Sequence, residues 1–151
     1  MGPQRGRPTG SGVVWPSAKT VYALRACEVL AAAYPDQLTK AGDIARASKV
    51  PPRFLSKILG EMRAAGLVTS RRGYHGGYGL VRDPNLITIA ELARAIDGYE
   101  VFAPVPADRL QHGYPFVEHL QTQLRDVASE VLRSTSLAEL APASATRREP
   151  E

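Results

Sequence analysis

The sequence predicts a mainly α-helical domain with one small β-hairpin, and three observations predict it. Between Thr39 and Arg82 a short helical segment, a tight turn, a basic helix and a Gly-rich basic hairpin follow one another, the order of a winged helix-turn-helix. That stretch carries nine Lys or Arg against two Asp or Glu, a balance of +7, whereas residues 83 to 141 carry four against nine, a balance of −5. Beyond it, Val117, Leu120, Leu124, Val127 and Val131 recur in steps of three and four, the seam of a long C-terminal dimerisation helix.

The first element starts at Ser17, a plausible N-cap after Pro16, and Val21, Leu24, Cys27 and Ala31 then recur at helical spacing up to Pro35. Cys27 on that stripe reads as a small buried hydrophobe, because a reactive thiol needs exposure and an electropositive setting. Thr39 caps a short second helix, about Lys40 to Ala47, with Ile44 and Ala45 inward, and Ser48-Lys49-Val50 turns the chain. Pro51 and Pro52 open the third helix, where a missing N–H does no harm. Its apolar face is Leu55, Ile58, Leu59 and Met62, and Gly66 ends it. Arg53, Ser56, Lys57 and Gly60 occupy the opposite face, the one that meets base edges in a helix-turn-helix.

Leu67 to Arg71 and Tyr78 to Arg82 read as two strands around a tip of Arg72-Gly73-Tyr74-His75-Gly76-Gly77. The glycines permit positive φ and close approach to a phosphate wall, while Arg71 and Arg72 suit a minor groove or a phosphate. His75 fits a loop histidine able to add a phosphate contact, and alone it is no metal site. Thr88 to Glu91 has the form of a capping box, starting a helix with Ile89, Leu92, Ala93 and Ile96 inward and Gly98 at its end. Ser136 to Glu139 is a second capping box, opening a last short turn.

Length and composition bound the rest. With 151 residues and 44% hydrophobic content, the chain fits one domain with tails. The expected division is a disordered basic arm at 1–16, a DNA-binding winged helix-turn-helix at 17–98, a loop and dimerisation helix at 99–141 and a disordered tail at 142–151. Within the arm, Arg5-Gly6-Arg7-Pro8 resembles the core of an AT-hook, a minor-groove element, although a solvated tail is the reading preferred for so short a match. No apolar run approaches the roughly 20 residues that cross a bilayer, and no signal-like apolar segment opens the chain, so a cytoplasmic protein without membrane contact is expected. Cys27 is the one cysteine, which excludes an internal disulfide and a metal site built from cysteine alone.

Several of these segments together resemble the Rrf-two family of bacterial winged-helix regulators. The resemblance covers roughly residues 20 to 140. It rests on Tyr22-Ala23-Leu24-Arg25-Ala26, on Pro51-Pro52-Arg53-Phe54-Leu55 with Ile58-Leu59, and on Met62 to Val68. It continues through Arg72-Gly73, Gly76-Gly77-Tyr78, Leu80, Arg82, Ile87-Thr88-Ile89, Ala95-Ile96-Asp97-Gly98 and Ser136 to Leu140. The resemblance implies a homodimer that sets its third helix and wing on a palindromic promoter site and associates through a long helix. It implies DNA contact at Arg53, Ser56, Lys57 and Arg72. Thr39, Lys40, Arg71, Gly73, His75 and Gly76 complete the expected DNA-binding set, and Val117, Leu120, Leu124, Val127 and Val131 the dimerisation set.

One departure limits the resemblance. Cluster-binding members carry three cysteines between the wing-side helix and the dimerisation helix, and this chain has none between Tyr99 and Phe116. Asp108, His112, Glu118 and His119 form no recognised ligand set, so neither cofactor nor metal is expected.

The function that follows is a dimeric, sequence-specific DNA-binding transcriptional regulator, a repressor, without a conventional iron-sulfur cluster. Two alternatives stand beside it: a winged helix used to bind an acidic protein partner, or a regulator sensing through a mixed-ligand cluster or the Cys27 thiol. An enzyme ranks last, since no nucleophile-base pair, phosphate-binding loop or carboxylate cluster is present in the sequence.

Overall fold

A serine with extended backbone is a good helix starter because its hydroxyl accepts an orphan amide of the first turn. Ser17 does this for Thr20 N–H at 3.2 Å and opens α1, Ala18–Ala33. The computed structural model describes residues 16–98 and 115–140. The Arg5-Gly6-Arg7-Pro8 arm, the expected loop with Asp108 and His112, and the tail at 142–151 lie outside the described residues.

α1 is the central helix, touching α2 (Ala41–Ser48), α3 (Pro52–Ala64) and α4 (Ile89–Asp97). This surrounds it with neighbours and changes the stripe expected from the sequence. Its buried residues are Thr20, Ala23, Ala26, Cys27 and Leu30, while Val21, Leu24 and Ala31 are half-buried. Small alanines at the centre let three helices approach one axis, so a single large-residue stripe is not what packing selects. The buried Thr20 hydroxyl is satisfied by Asp97 Oδ2 at 3.0 Å, and Ser17 Oγ donates to Asp97 Oδ1 at 3.3 Å, which lashes the start of α1 to the end of α4.

α2 buries Ile44 and Ala45, as expected, together with Ser48. Its N-cap is Lys40 and not Thr39, a correction with a clear cause. Thr39 is engaged elsewhere: it exchanges both main-chain hydrogen bonds with Tyr78, each 2.8 Å long. Lys49 then closes the helix in the left-handed region at φ 57, turning the chain toward Pro51 and α3.

α3 buries Leu55, Ile58, Leu59 and Met62, all at 1% exposure or less, and each such side chain contributes roughly 1.5–3 kcal/mol through removal from water. It ends in a Schellman turn: Gly66 N–H donates to Arg63 O and Leu67 N–H to Met62 O, both at 3.0 Å, with Gly66 at φ 76. The chain passes directly into the hairpin β1 (Val68–Arg71) and β2 (Gly77–Leu80), antiparallel with Val68 opposite Leu80 and Arg71 opposite Gly77. The second strand is shifted from the expected Tyr78 to Arg82: Gly77 enters the ladder opposite Arg71, and past Leu80 the side chain of Arg82 pairs with Glu91 at 3.1 Å.

A 3-10 turn, Pro84–Leu86, leads into α4, whose Thr88–Glu91 capping box is formed in both directions and whose end is Gly98 at φ 73. Ile89, Leu92, Ala93 and Ile96 are the buried face. α5, Pro115–Ser134, packs on α4, and the Ser136–Glu139 capping box opens a 3-10 turn, Leu137–Glu139. Leu137 is 1% exposed and belongs to the main core.

Candidate nucleic-acid interface

A helix has 3.6 residues per turn, so positions 53, 56, 57 and 60 share one side of α3 just as 55, 58, 59 and 62 share the other. The apolar set being buried forces the polar set outward: Arg53, Ser56, Lys57 and Gly60 are all exposed. Arg53 lies over the Phe54 ring, its guanidinium carbon 4.8 Å from the centroid, and Phe54 in turn meets Tyr22 of α1 at 5.9 Å. The aromatic pair joins the head of α3 to α1, a contact invisible in the spacing of the sequence.

The wing is shaped by glycines where a side chain has no room. A Cβ on Gly76 would stand 2.1 Å from Arg71 O, and one on Gly77, at φ 147, would stand 2.6 Å from Thr39 O. Gly76 is buried inside the tip turn, where its N–H donates to Gly73 O at 3.0 Å; its place is to close the tip. Arg71, Arg72, Gly73, Tyr74 and His75 are exposed around it, with Tyr74 and His75 in an edge-to-face pair at 5.0 Å. Thr39 is half-buried at the base of the wing. Lys40 is exposed, and its Nζ donates to Gly73 O at 2.6 Å.

Charge is distributed unevenly among the nine cations of this stretch. Arg46 pairs with Asp43, Arg82 with Glu91, and Arg63 donates to Ser70 Oγ at 3.1 Å. Lys49, Arg53, Lys57, Arg71 and Arg72 form no ion pair among the described residues. Cations left in solvent by their own fold retain their charge for an outside anion.

Cys27 is 1% exposed, with Sγ 3.6 Å from Met62 Sδ, and burial pushes its thiol up to about 12. On α5, Phe116, Leu120, Leu124, Val127 and Val131 are exposed between 45% and 76%, an apolar stripe with no cover among the described residues. Phe116 stands beside the expected seam, four residues before Leu120; Val117 lies on the helix, and its side chain lies outside the described residues. No described helix is long and apolar enough to cross a membrane.

A family model described as Rrf2, iron-dependent transcriptional regulator, matches residues 16–143. The chain belongs to the Rrf2 family of transcriptional regulators. It is 33% identical to the regulator CymR of Bacillus subtilis over 83% of this chain and 88% of that protein. The solved structure of that protein, titled the global cysteine regulator of B. subtilis, superposes with a TM-score of 0.76 over 86% of this chain and 98% of its own. IscR of T. potens has the same fold, with a TM-score of 0.73 at 24% identity over 91% and 93% of the two chains. A helix-turn-helix-type regulator of Mycobacterium tuberculosis is 46% identical over 82 residues, 54% of this chain, and the match spans about half, 51%, of that relative.

The iron in the family's description does not fit the donors of this chain. Iron clusters take thiolates, and the sole cysteine is sealed in the core as a thiol. Residues 99 to 114 contain no cysteine, and among the described residues no group of three His, Cys, Asp or Glu is placed to hold a metal.

Proposed function

We propose that this Rrf2-family regulator is a homodimer that represses transcription in the bacterial cytoplasm by occupying a palindromic promoter site. In this reading, residues 17–98 are the DNA-binding unit and 99–141 the dimerisation unit. The observation that carries it is the set of exposed cations without an ion pair among the described residues on the outer face of α3 and the wing, Arg53 and Lys57 with Arg71 and Arg72. Arg53, Ser56 and Lys57 are assigned to base edges in the major groove, and Gly60 to close approach of the groove wall. Arg71, Arg72, Gly73 and His75 are assigned to phosphates or the minor groove, supported from behind by Thr39, Lys40 and Gly76.

The apolar stripe of α5 supports the dimer. Exposed side chains at 120, 124, 127 and 131 follow the steps of four, three and four residues of a partner helix seam, Phe116 lies four residues before them, and a second copy supplies the same stripe by symmetry. Two heads held by one twofold axis match a twofold site. Signal sensing through Cys27 is disfavoured, since attack on any oxidant requires an accessible thiolate.

Selection of bound duplexes from a random pool by the purified protein tests this function. Enrichment of an inverted repeat supports it; an unenriched pool with retention of acidic proteins favours the protein-interaction module instead.

A further inference from the structure

Lys40 stands where α2 begins, a position normally filled by Ser, Thr, Asp or Asn, and it makes no capping bond. Lysine is a poor residue for that place on two grounds: it has no acceptor for the orphan amides of the first turn, and its positive charge meets the positive end of the helix dipole. Its ammonium reaches instead to the wing tip, 33 residues away in sequence, and donates to Gly73 O at 2.6 Å.

That carbonyl is a junction. It also accepts from Gly76 N–H at 3.0 Å, the bond that closes the tip turn, and Gly73 itself sits at φ 110. The base of the wing is fixed separately, by the paired bonds of Thr39 with Tyr78 and by the contact of the Gly77 backbone with Thr39. Residue 39 therefore holds the root of the hairpin and residue 40 its tip.

We propose that Lys40 is a positioning residue, whose ammonium ties the wing tip to the head of α2 and so fixes Arg71 and Arg72 relative to the helix-turn-helix. This rests on the wing being a DNA contact, as inferred above, and it assigns Lys40 a role through Gly73 in place of a simple phosphate contact. A helix start without its cap is what the tether explains.

Lys40→Ser separates the two roles, since it restores a capping hydroxyl while removing the reach. In the free full-length protein, the Gly76 amide of Lys40→Ser should exchange at least about fivefold faster than in wild type, with an unchanged or higher thermal midpoint, and Lys40→Arg should restore slow exchange. On the duplex enriched by selection, Arg72→Ala should weaken wild type about tenfold and Lys40→Ser less than about threefold, because a loose wing has already lost that contact. Unchanged Gly76 exchange overturns the proposal. So does an equal Arg72→Ala penalty in both backgrounds, with a salt slope for the dimer lowered by about two, one for each half-site, the mark of a plain phosphate contact. Failure to enrich any duplex would remove the DNA-binding reading, while the exchange measurement would still decide the tether.

Discussion

Leu137 N–H donates to Ile87 O at 2.9 Å, and the two side chains lie together in the core, at 1% and 0% exposure. Ile89 N–H donates to Thr135 O at 2.9 Å in the same place. The turn after α5 is thus stitched to the approach of α4, and the long helix is held at its far end by the head domain. Leu137→Ala removes a fully buried side chain and should destabilise the protein by about 2–5 kcal/mol, read as a lowered denaturant midpoint. A change below about 0.5 kcal/mol would show that this turn is not docked.

Gly60→Ala should separate stability from binding. No atom lies within 4 Å of a Cβ there, the residue is exposed and the site is a helix interior, so alanine should stabilise α3 by about 1 kcal/mol. If the groove wall approaches Gly60 closely, the same variant should bind its duplex more weakly. Greater thermal stability with unaltered affinity would move the interface off this part of α3.

Burial raises the Cys27 thiol from an ordinary 9.0 to about 12, which has a definite sign for stability. The folded protein keeps the proton that the unfolded chain releases first, so this contribution is complete below about pH 9 and is lost as pH rises from about 9 toward about 12. Denaturant midpoints of wild type should therefore fall more steeply across that window than those of Cys27→Ala. Parallel curves would mean that the thiol titrates normally in the fold.

Leu124 and Val127 are 57% and 64% exposed, so replacing either with Asp should leave the subunit folded. It should nevertheless dissociate the proposed dimer, because a charge would enter an apolar seam on both copies at once. Sedimentation at micromolar concentration should show wild type as a dimer and Leu124→Asp as a monomer with an unaltered helical spectrum. A monomeric wild type would remove the seam.

What the sequence disclosed was local. Ser17, Thr88 with Glu91, Ser136 with Glu139, Gly66 and Gly98 mark helix ends through bonds spanning a few residues, and the apolar faces of α3 and α4 match their spacing residue for residue. Pairings distant in sequence left no such mark. Thr39 looks like a cap because threonine caps helices, yet its partner is Tyr78; Lys40 looks like one more surface cation, yet it reaches Gly73. The burial of Leu137 was equally hidden, since a leucine after a capping box gives no indication of which core receives it. Lys19 meeting Glu61 at 2.7 Å belongs to the same class. The candidate site was legible in its residue types and on α3 in its face, whereas the wing's attachment to α2 appears only in three dimensions.

The most direct test of the account is the salt dependence of binding to the selected duplex, measured for wild type, Arg53→Ala and Arg71→Ala. With about four to five phosphates engaged per half-site, the wild-type dimer should show a log–log slope near −7 to −9. Arg53→Ala should lose about 1 to 3 kcal/mol on the selected sequence and relax its base preference, while Arg71→Ala should weaken all duplexes alike. Binding indifferent to salt and to both substitutions would contradict the claim that α3 and the wing read DNA.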